Sequence, residues 1–257
     1  SLVGSEMCIR DRLYLEMQQS KFLKFHLESK GLLMAYKTSK AEREEAEVVN
    51  WAKDLGINVK QFSKDEILKI QPESPMDVAG AFWYESDAHS TPELFVKNLF
   101  KYLKLKGVKF NLNDEVSSFK KEGKFIKSIK TKKQVFKADE FVIATGAWSE
   151  SILKNLGIYL SIQAGKGYSF NLNKSTGISI PAILLEAKVA VTPMKGYTRF
   201  GGTMEISGIN KKINLKRVNA IAKAGEEYYS NISIPKNIFR KAQSGLRPLS
   251  HDGLPFI

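Results

Sequence analysis

The sequence predicts a mixed fold, α/β plus α+β, in which a doubly wound type of α/β part is interrupted by a sheet-rich part. Three observations predict it. Helix and strand patterns alternate irregularly along the chain. The middle is rich in alternating apolar segments, at Tyr168–Leu172, Ala187–Pro193 and Thr198–Gly202. A compact apolar run, Phe141-Val-Ile-Ala144, leads directly into Thr145-Gly-Ala-Trp148 and a helix pattern that stops at Gly157. No internal repeat and no long low-complexity linker breaks the pattern.

The elements follow in order. Leu13–Ser29 reads as a helix with Leu15, Phe22, Phe25 and His26 near one face. Leu32–Tyr36 is a short apolar strand. Ser39–Leu55 is a charged helix stopped by Gly56. Ser63 and Glu66 have capping-box spacing and open a helix that runs to Ile70. Gly80–Tyr84 is an aromatic strand. Thr91 is placed to cap a helix with Pro92 at its first position, an apolar face of Phe95, Leu99, Tyr102 and Leu103, and Gly107 at its end. Val108–Leu112 and Val116–Phe119 read as strands, and Phe125–Thr131 with Gln134–Ala138 as a lysine-edged hairpin. Leu215–Tyr229 is a further helix.

Composition bounds the function. A chain of 257 residues with 43% hydrophobic residues can bury a sizeable core. No apolar run approaches the roughly 18 residues of a membrane span, and a cytoplasmic protein is expected. The single cysteine, Cys8, excludes an internal disulfide or a cysteine metal cluster. His26, His89 and His251 are far apart with no paired spacing, so no metal site is expected. The net charge of +13 comes mostly from scattered lysines rather than from the arginines that read bases, and no nucleic-acid partner is expected. A basic binding module is the competing reading, and steep salt dependence would mark it.

Two stretches carry chemistry. In Gly245-Leu-Arg-Pro-Leu-Ser-His-Asp-Gly-Leu-Pro-Phe-Ile257, two glycines and Pro248 fix a backbone frame for Arg247. The guanidinium offers a rigid fork of donors suited to a carboxylate, and pairing with Asp252 across the turn is its structural alternative. In Ala138–Trp148, a strand ending in Ala-Thr-Gly lets backbone approach a ligand at the carboxyl edge of a sheet, where doubly wound folds bind cofactors. Alternatively, Gly146 only permits a bend.

These segments resemble the signatures of the FAD-dependent amine oxidoreductases, the D-amino-acid dehydrogenase and glycine oxidase (DAO-type) family. The terminal motif is similar to Gly-Leu-Arg-Pro…Asp-Gly-x-Pro-x-Ile. Val142-Ile-Ala-Thr-Gly-Ala-Trp-Ser149 resembles the family's second flavin-domain strand. Tyr84–Pro92 resembles the Asp-x-His-x-x-Pro entry to a helix, and Val108–Val116 the Gly-Val…Val strand pair. Gly165-Lys-Gly-Tyr-Ser169 and Arg199-Phe-Gly-Gly-Thr-Met-Glu205 complete the set in family order.

The resemblance implies a partial FAD-binding Rossmann-like domain (13–30, 85–157 and 241–257) interleaved with a mixed-sheet substrate-binding domain (31–84 and 158–240). It implies FAD as cofactor, with Val116, Ala144, Gly146 and Trp148 as contacts. Arg247 would hold a substrate carboxylate. Tyr168 would donate to that carboxylate or line the pocket, or else pack in the core. His89, His251, Glu205 and Asp252 receive no catalytic role. The implied reaction is oxidative deamination of a D-amino acid by hydride transfer to flavin, giving a 2-oxo acid and ammonia. A respiratory quinone or oxygen would be the acceptor, and the inner face of the cell membrane a place for peripheral association. A glycine or sarcosine oxidase-like amine oxidase is the alternative.

The family's Gly-x-Gly-x-x-Gly fingerprint does not occur in these 257 residues. A fragment lacking that motif and the C-terminal end is therefore expected, weak in FAD affinity and poorly soluble. Ser1–Arg12 resembles translated sequencing adapter and is expected to be non-native.

Overall fold

The structure, a computed structural model, describes residues 12–20, 23–254 and 256. Residues 1–11 of the opening segment, with Cys8, lie outside it, as do Phe22, Pro255 and Ile257. In chain order, the first half comprises a helix at 12–19 (α1), β1 Leu27–Glu28, β2 Leu32–Tyr36, α2 Ser39–Asp54, β3 Val59–Ser63, α3 Lys64–Ile70, β4 Gly80–Tyr84, β5 His89–Ser90 and α4 Pro92–Leu105. There follow β6 Val116–Glu122, β7 Phe125–Thr131, β8 Val135–Lys137, a 3-10 turn Gly146–Trp148 and α5 Ser149–Lys154. The remainder is β9 Gln163–Leu172, β10 Ala182–Leu184, β11 Val189–Met194, β12 Tyr197–Ile206, α6 Leu215–Tyr228, a 3-10 turn Lys236–Lys241 and β13 Gln243–Leu249.

The chain divides into two compact units. Of the described residues, the first contains those up to 107, with 168–203 and 213–243; the second contains 108–167, 204–212 and those from 244 on.

A mixed sheet organises the first unit, in the order β9-β12-β11-β10-β2-β4-β3. The β10–β2 pair is parallel, whereas β10–β11, β11–β12, β2–β4 and β3–β4 are antiparallel. Alternation along the strands assigns residues to two cores. Leu33 and Ala35 of β2, with Ala81 of β4, point into a large cluster with Phe170, Val191, Phe200 and the α6 residues Val218 and Ile221. Tyr36 and Phe82 turn to the other face and meet Val49 and Ala52 of α2. A shift of one residue in β2 would exchange these sets, so burial pins the register.

Local signals place most elements where the sequence predicts them. The Ser63 hydroxyl accepts from Glu66 N–H, and the Glu66 carboxylate accepts from Ser63 N–H, completing the capping box. Gly56 and Gly107, with φ of 80° and 86°, end their helices as only glycine does cheaply. Thr91 occupies the cap position of α4 but makes no side-chain cap bond. Its hydroxyl instead meets His26 Nδ1 at 2.9 Å and accepts from Lys195 N–H.

Three expectations are corrected. The helix expected over Leu13–Ser29 spans only 12–19 among the described residues. There the Ser20 hydroxyl donates to the Met17 carbonyl and accepts from Leu23 N–H, turning the chain toward β1. The strands expected at Val108–Leu112 and Phe141–Ala144 do not form. Among the described residues no strand pairs with either segment, and Val142 is 90% exposed. An apolar run becomes a strand only where a neighbour satisfies its backbone groups.

The second unit is built on the antiparallel sheet β6-β7-β8, the predicted lysine-edged hairpin extended by one strand. Among the described residues no helix is long and apolar enough to cross a membrane.

Candidate functional site

The second unit contains five of the six residues singled out from sequence. Arg247 lies on β13 and is exposed. Among the described residues it makes no ion pair with Asp252, whose carboxylate accepts from Leu254 N–H and stands 3.9 Å from His251 Nε2. Strand β13 lies beside β9. A Cβ on Gly165 would come within 2.6 Å of the Leu249 side chain and 2.9 Å of the Met204 sulfur, so glycine lets these two side chains approach the strand without shifting.

Beside it sits a group that the sequence reading passed over. Lys166 is 2% exposed. Its ammonium lies 3.0 Å from a Glu205 carboxylate oxygen and donates to Asn210 Oδ1 at 2.7 Å and to the Lys212 carbonyl at 3.2 Å. A buried ammonium needs such a set of acceptors, since its bare transfer out of water is costly. Lysine inside an otherwise apolar Ala-Gly-x-Gly-Tyr strand was the available signal.

Val116 opens β6 opposite Thr131 and is half-buried. Ala144 and Gly146 are exposed; Gly146 has φ 56° and nothing within 4 Å of the Cβ position. Ala147 is buried, while Trp148 is 43% exposed. This stretch therefore presents exposed backbone at Ala144 and Gly146 and a half-exposed aromatic face, which fits contact with one part of an FAD molecule. The phosphates would need a cradle of backbone N–H groups at a helix start. Beside these residues the chain offers the single-glycine turn at Gly146 ahead of α5.

In the first unit Tyr168 is 2% exposed and packs in the large core with Phe170 and Phe200. Next to it, Ser169 accepts a hydrogen bond from Arg199 at 3.1 Å. Thr203, at the end of the Arg199–Thr203 run, has φ 53°, a left-handed conformation that a β-branched residue rarely adopts. A cleft of about 1290 Å³ opens elsewhere in this unit, lined by His26, Glu28, Lys30, Asn98, Lys195 and Tyr197 among others.

Comparison with known proteins places the chain in a family. The chain is 29% identical over 242 residues to a D-amino acid dehydrogenase of Neisseria meningitidis, covering 91% of this chain and 57% of that protein. It is 24% identical over 255 residues to a D-amino acid dehydrogenase of Granulibacter bethesdensis, of which it covers 60%. The chain thus spans somewhat over half the length of these relatives. Its fold superposes on glycine oxidase from Geobacillus kaustophilus with a TM-score of 0.83 at 19% identity, covering 97% of this chain and 67% of that one. The family model for FAD dependent oxidoreductases (DAO) matches residues 5–257. The chain belongs to the DAO family of FAD dependent oxidoreductases, with the mixed α/β fold of that family.

Proposed function

We propose that the protein carrying this chain oxidatively deaminates small D-amino acids with FAD as cofactor. The observation that carries this reading is Arg247, exposed on β13 within Gly-Leu-Arg-Pro and without an acidic partner among the described residues. An uncommitted guanidinium on a rigid strand suits bidentate recognition of a carboxylate, which fixes the α-carbon of the substrate relative to the cofactor. When bound, FAD supplies the two-electron acceptor for the α C–H bond, and the products are a 2-oxo acid and ammonia. Ala144, Gly146 and Val116 contribute backbone or packing contacts, and Trp148 covers part of the cofactor or anchors its helix. Tyr168 packs in the core, so the carboxylate is assigned to Arg247 without it. A respiratory quinone is the proposed final acceptor, reached from the inner face of the cell membrane.

The test is anaerobic bleaching of flavin absorbance in FAD-reconstituted protein. Bleaching by D- but not L-amino acids is expected. Arg247→Lys keeps the charge and loses the fork, so bleaching should weaken by about 10- to 100-fold, the loss of one charge-assisted bond. Bleaching only by N-methyl amines would favour a glycine or sarcosine oxidase-like activity. Bleaching by no amine, with flavin bound, would refute the reading.

A further inference from the structure

Spacing along the chain keeps the histidines apart, and a two-residue strand pair brings two of them together. His26 directly precedes β1, so strand alternation turns His26 and Glu28 to one face. Strand β5 pairs antiparallel with β1 in the register Glu28↔His89, which sets His89 opposite Glu28. The result is a cluster of two imidazoles and a carboxylate. His26 Nε2 is 3.2 Å from Glu28 Oε1, and His89 Nε2 is 3.8 Å from Glu28 Oε2. One ligand atom from each residue lies within 4.8 Å of the others.

Two independent features suit this cluster to a cation. His89 is only 8% exposed, yet neither ring nitrogen makes a hydrogen bond of normal geometry. A buried imidazole whose nitrogens lack a hydrogen-bond partner among the described residues is poised to offer a lone pair to a metal. His26, for its part, is oriented from behind: its Nδ1 meets the Thr91 hydroxyl at 2.9 Å, and that hydroxyl is itself fixed by Lys195 N–H. With the ring proton on Nδ1 and donated to that hydroxyl, Nε2 is the nitrogen a cation beside Glu28 would take, the arrangement of a supported metal ligand.

We propose that His26, Glu28 and His89 form a three-ligand site for one divalent cation of the zinc type. Two nitrogens and one carboxylate oxygen are a zinc donor set. A tetrahedron with bonds of about 2.0 Å has edges of about 3.3 Å. The 3.2 and 3.8 Å contacts of Glu28 therefore need only small side-chain adjustments. His26 and Glu28 line the cleft of about 1290 Å³, so the fourth position opens to water or to a molecule in that cleft. Lys30, whose ammonium sits 2.8 Å from Glu28 Oε2, competes with the metal and must swing aside; it is half-exposed and free to do so. This site is independent of the proposed amine oxidation.

The experiment is titration of untagged, chelator-stripped protein with Zn²⁺ by calorimetry and with Co²⁺ by visible absorption. One equivalent of each should bind, with the intense ligand-field bands of a tetrahedral or five-coordinate Co²⁺ site. His26→Gln and His89→Gln should each weaken Zn²⁺ binding at least about tenfold, and Thr91→Val about tenfold with every ligand still present. His251→Gln should leave binding unchanged. Far-UV circular dichroism checks that each variant is folded. Wild-type protein that takes up no equivalent of either metal overturns the proposal. So does a folded His26→Gln/His89→Gln double variant that binds as wild type does.

Discussion

The ammonium of Lys166 stands 3.0 Å from the carboxylate of Glu205, the lysine 2% exposed and the glutamate side chain 16%. This pair joins β9 to the end of β12 inside the second unit, and Asn210 and the Lys212 carbonyl complete the acceptors. Removing one member of a buried pair leaves the other charge uncompensated. Lys166→Ala should therefore destabilise by about 3–5 kcal/mol. Lys166→Met with Glu205→Gln should recover much of that loss, since both charges leave together. Urea denaturation of the two variants decides this; equal losses would show that the pair adds nothing beyond packing.

Glu186 links three elements of the first unit. Its carboxylate accepts from the backbone N–H groups of Lys37 and Thr38, from the Thr38 hydroxyl and, at 2.6 Å, from the Tyr228 hydroxyl. Partial burial raises its pKa, but these donors outweigh it and hold the group below the ordinary 4.5. The sign follows. A depressed folded pKa contributes stability that is present above 4.5 and lost as pH falls through the lower folded value. Glu186→Gln should cost about 1 kcal/mol at neutral pH. The gap from wild type should close in acid, read as converging denaturation midpoints.

Gly225 lies within α6, where alanine would ordinarily stabilise by about 1 kcal/mol. A Cβ there would come 2.8 Å from a Phe200 ring carbon and 3.0 Å from Ile234 Cδ1. Phe200 is fully buried and stacked on Phe170 at 5.4 Å, so it has no room to move. Overpacking costs about 1–3 kcal/mol and wins over propensity. Gly225→Ala should lower the melting temperature; a rise would mean the helix can shift away from the sheet.

Thr203 carries the opposite prediction. Its φ of 53° strains a β-branched residue, and its hydroxyl is buried without a hydrogen bond among the described residues. Left-handed backbone costs an ordinary residue about 1–2 kcal/mol, and asparagine tolerates it better. Thr203→Asn should raise stability by about 0.5–1 kcal/mol. A fall in melting temperature would show that the threonine methyl contributes more packing than the strain removes.

Elements with local signals were legible from residue order. The capping box at Ser63 and Glu66, stops at Gly56 and Gly107, and the apolar run Leu32–Tyr36 each specify structure within a few residues. The apolar run Phe141–Ala144 was not decided that way. The pattern marks a strand, but pairing requires a neighbour, and none lies beside it among the described residues. Arg247 was legible as a residue in a turn-forming frame, and its freedom from Asp252 is a matter of placement. Lys166 reads as one more lysine in a chain of net charge +13 until its acceptors are seen around it.

By itself, then, the sequence determined the family, through ordered motifs, and the local elements, through short-range propensity and capping. Tertiary structure alone decided which distant groups meet. Strand register set His89 against Glu28, and folding brought the side chains of Leu249 and Met204 over Gly165. The physical reason is range: caps and periodicities act over one or two turns of chain, whereas burial and coordination depend on partners that pairing brings from far along it.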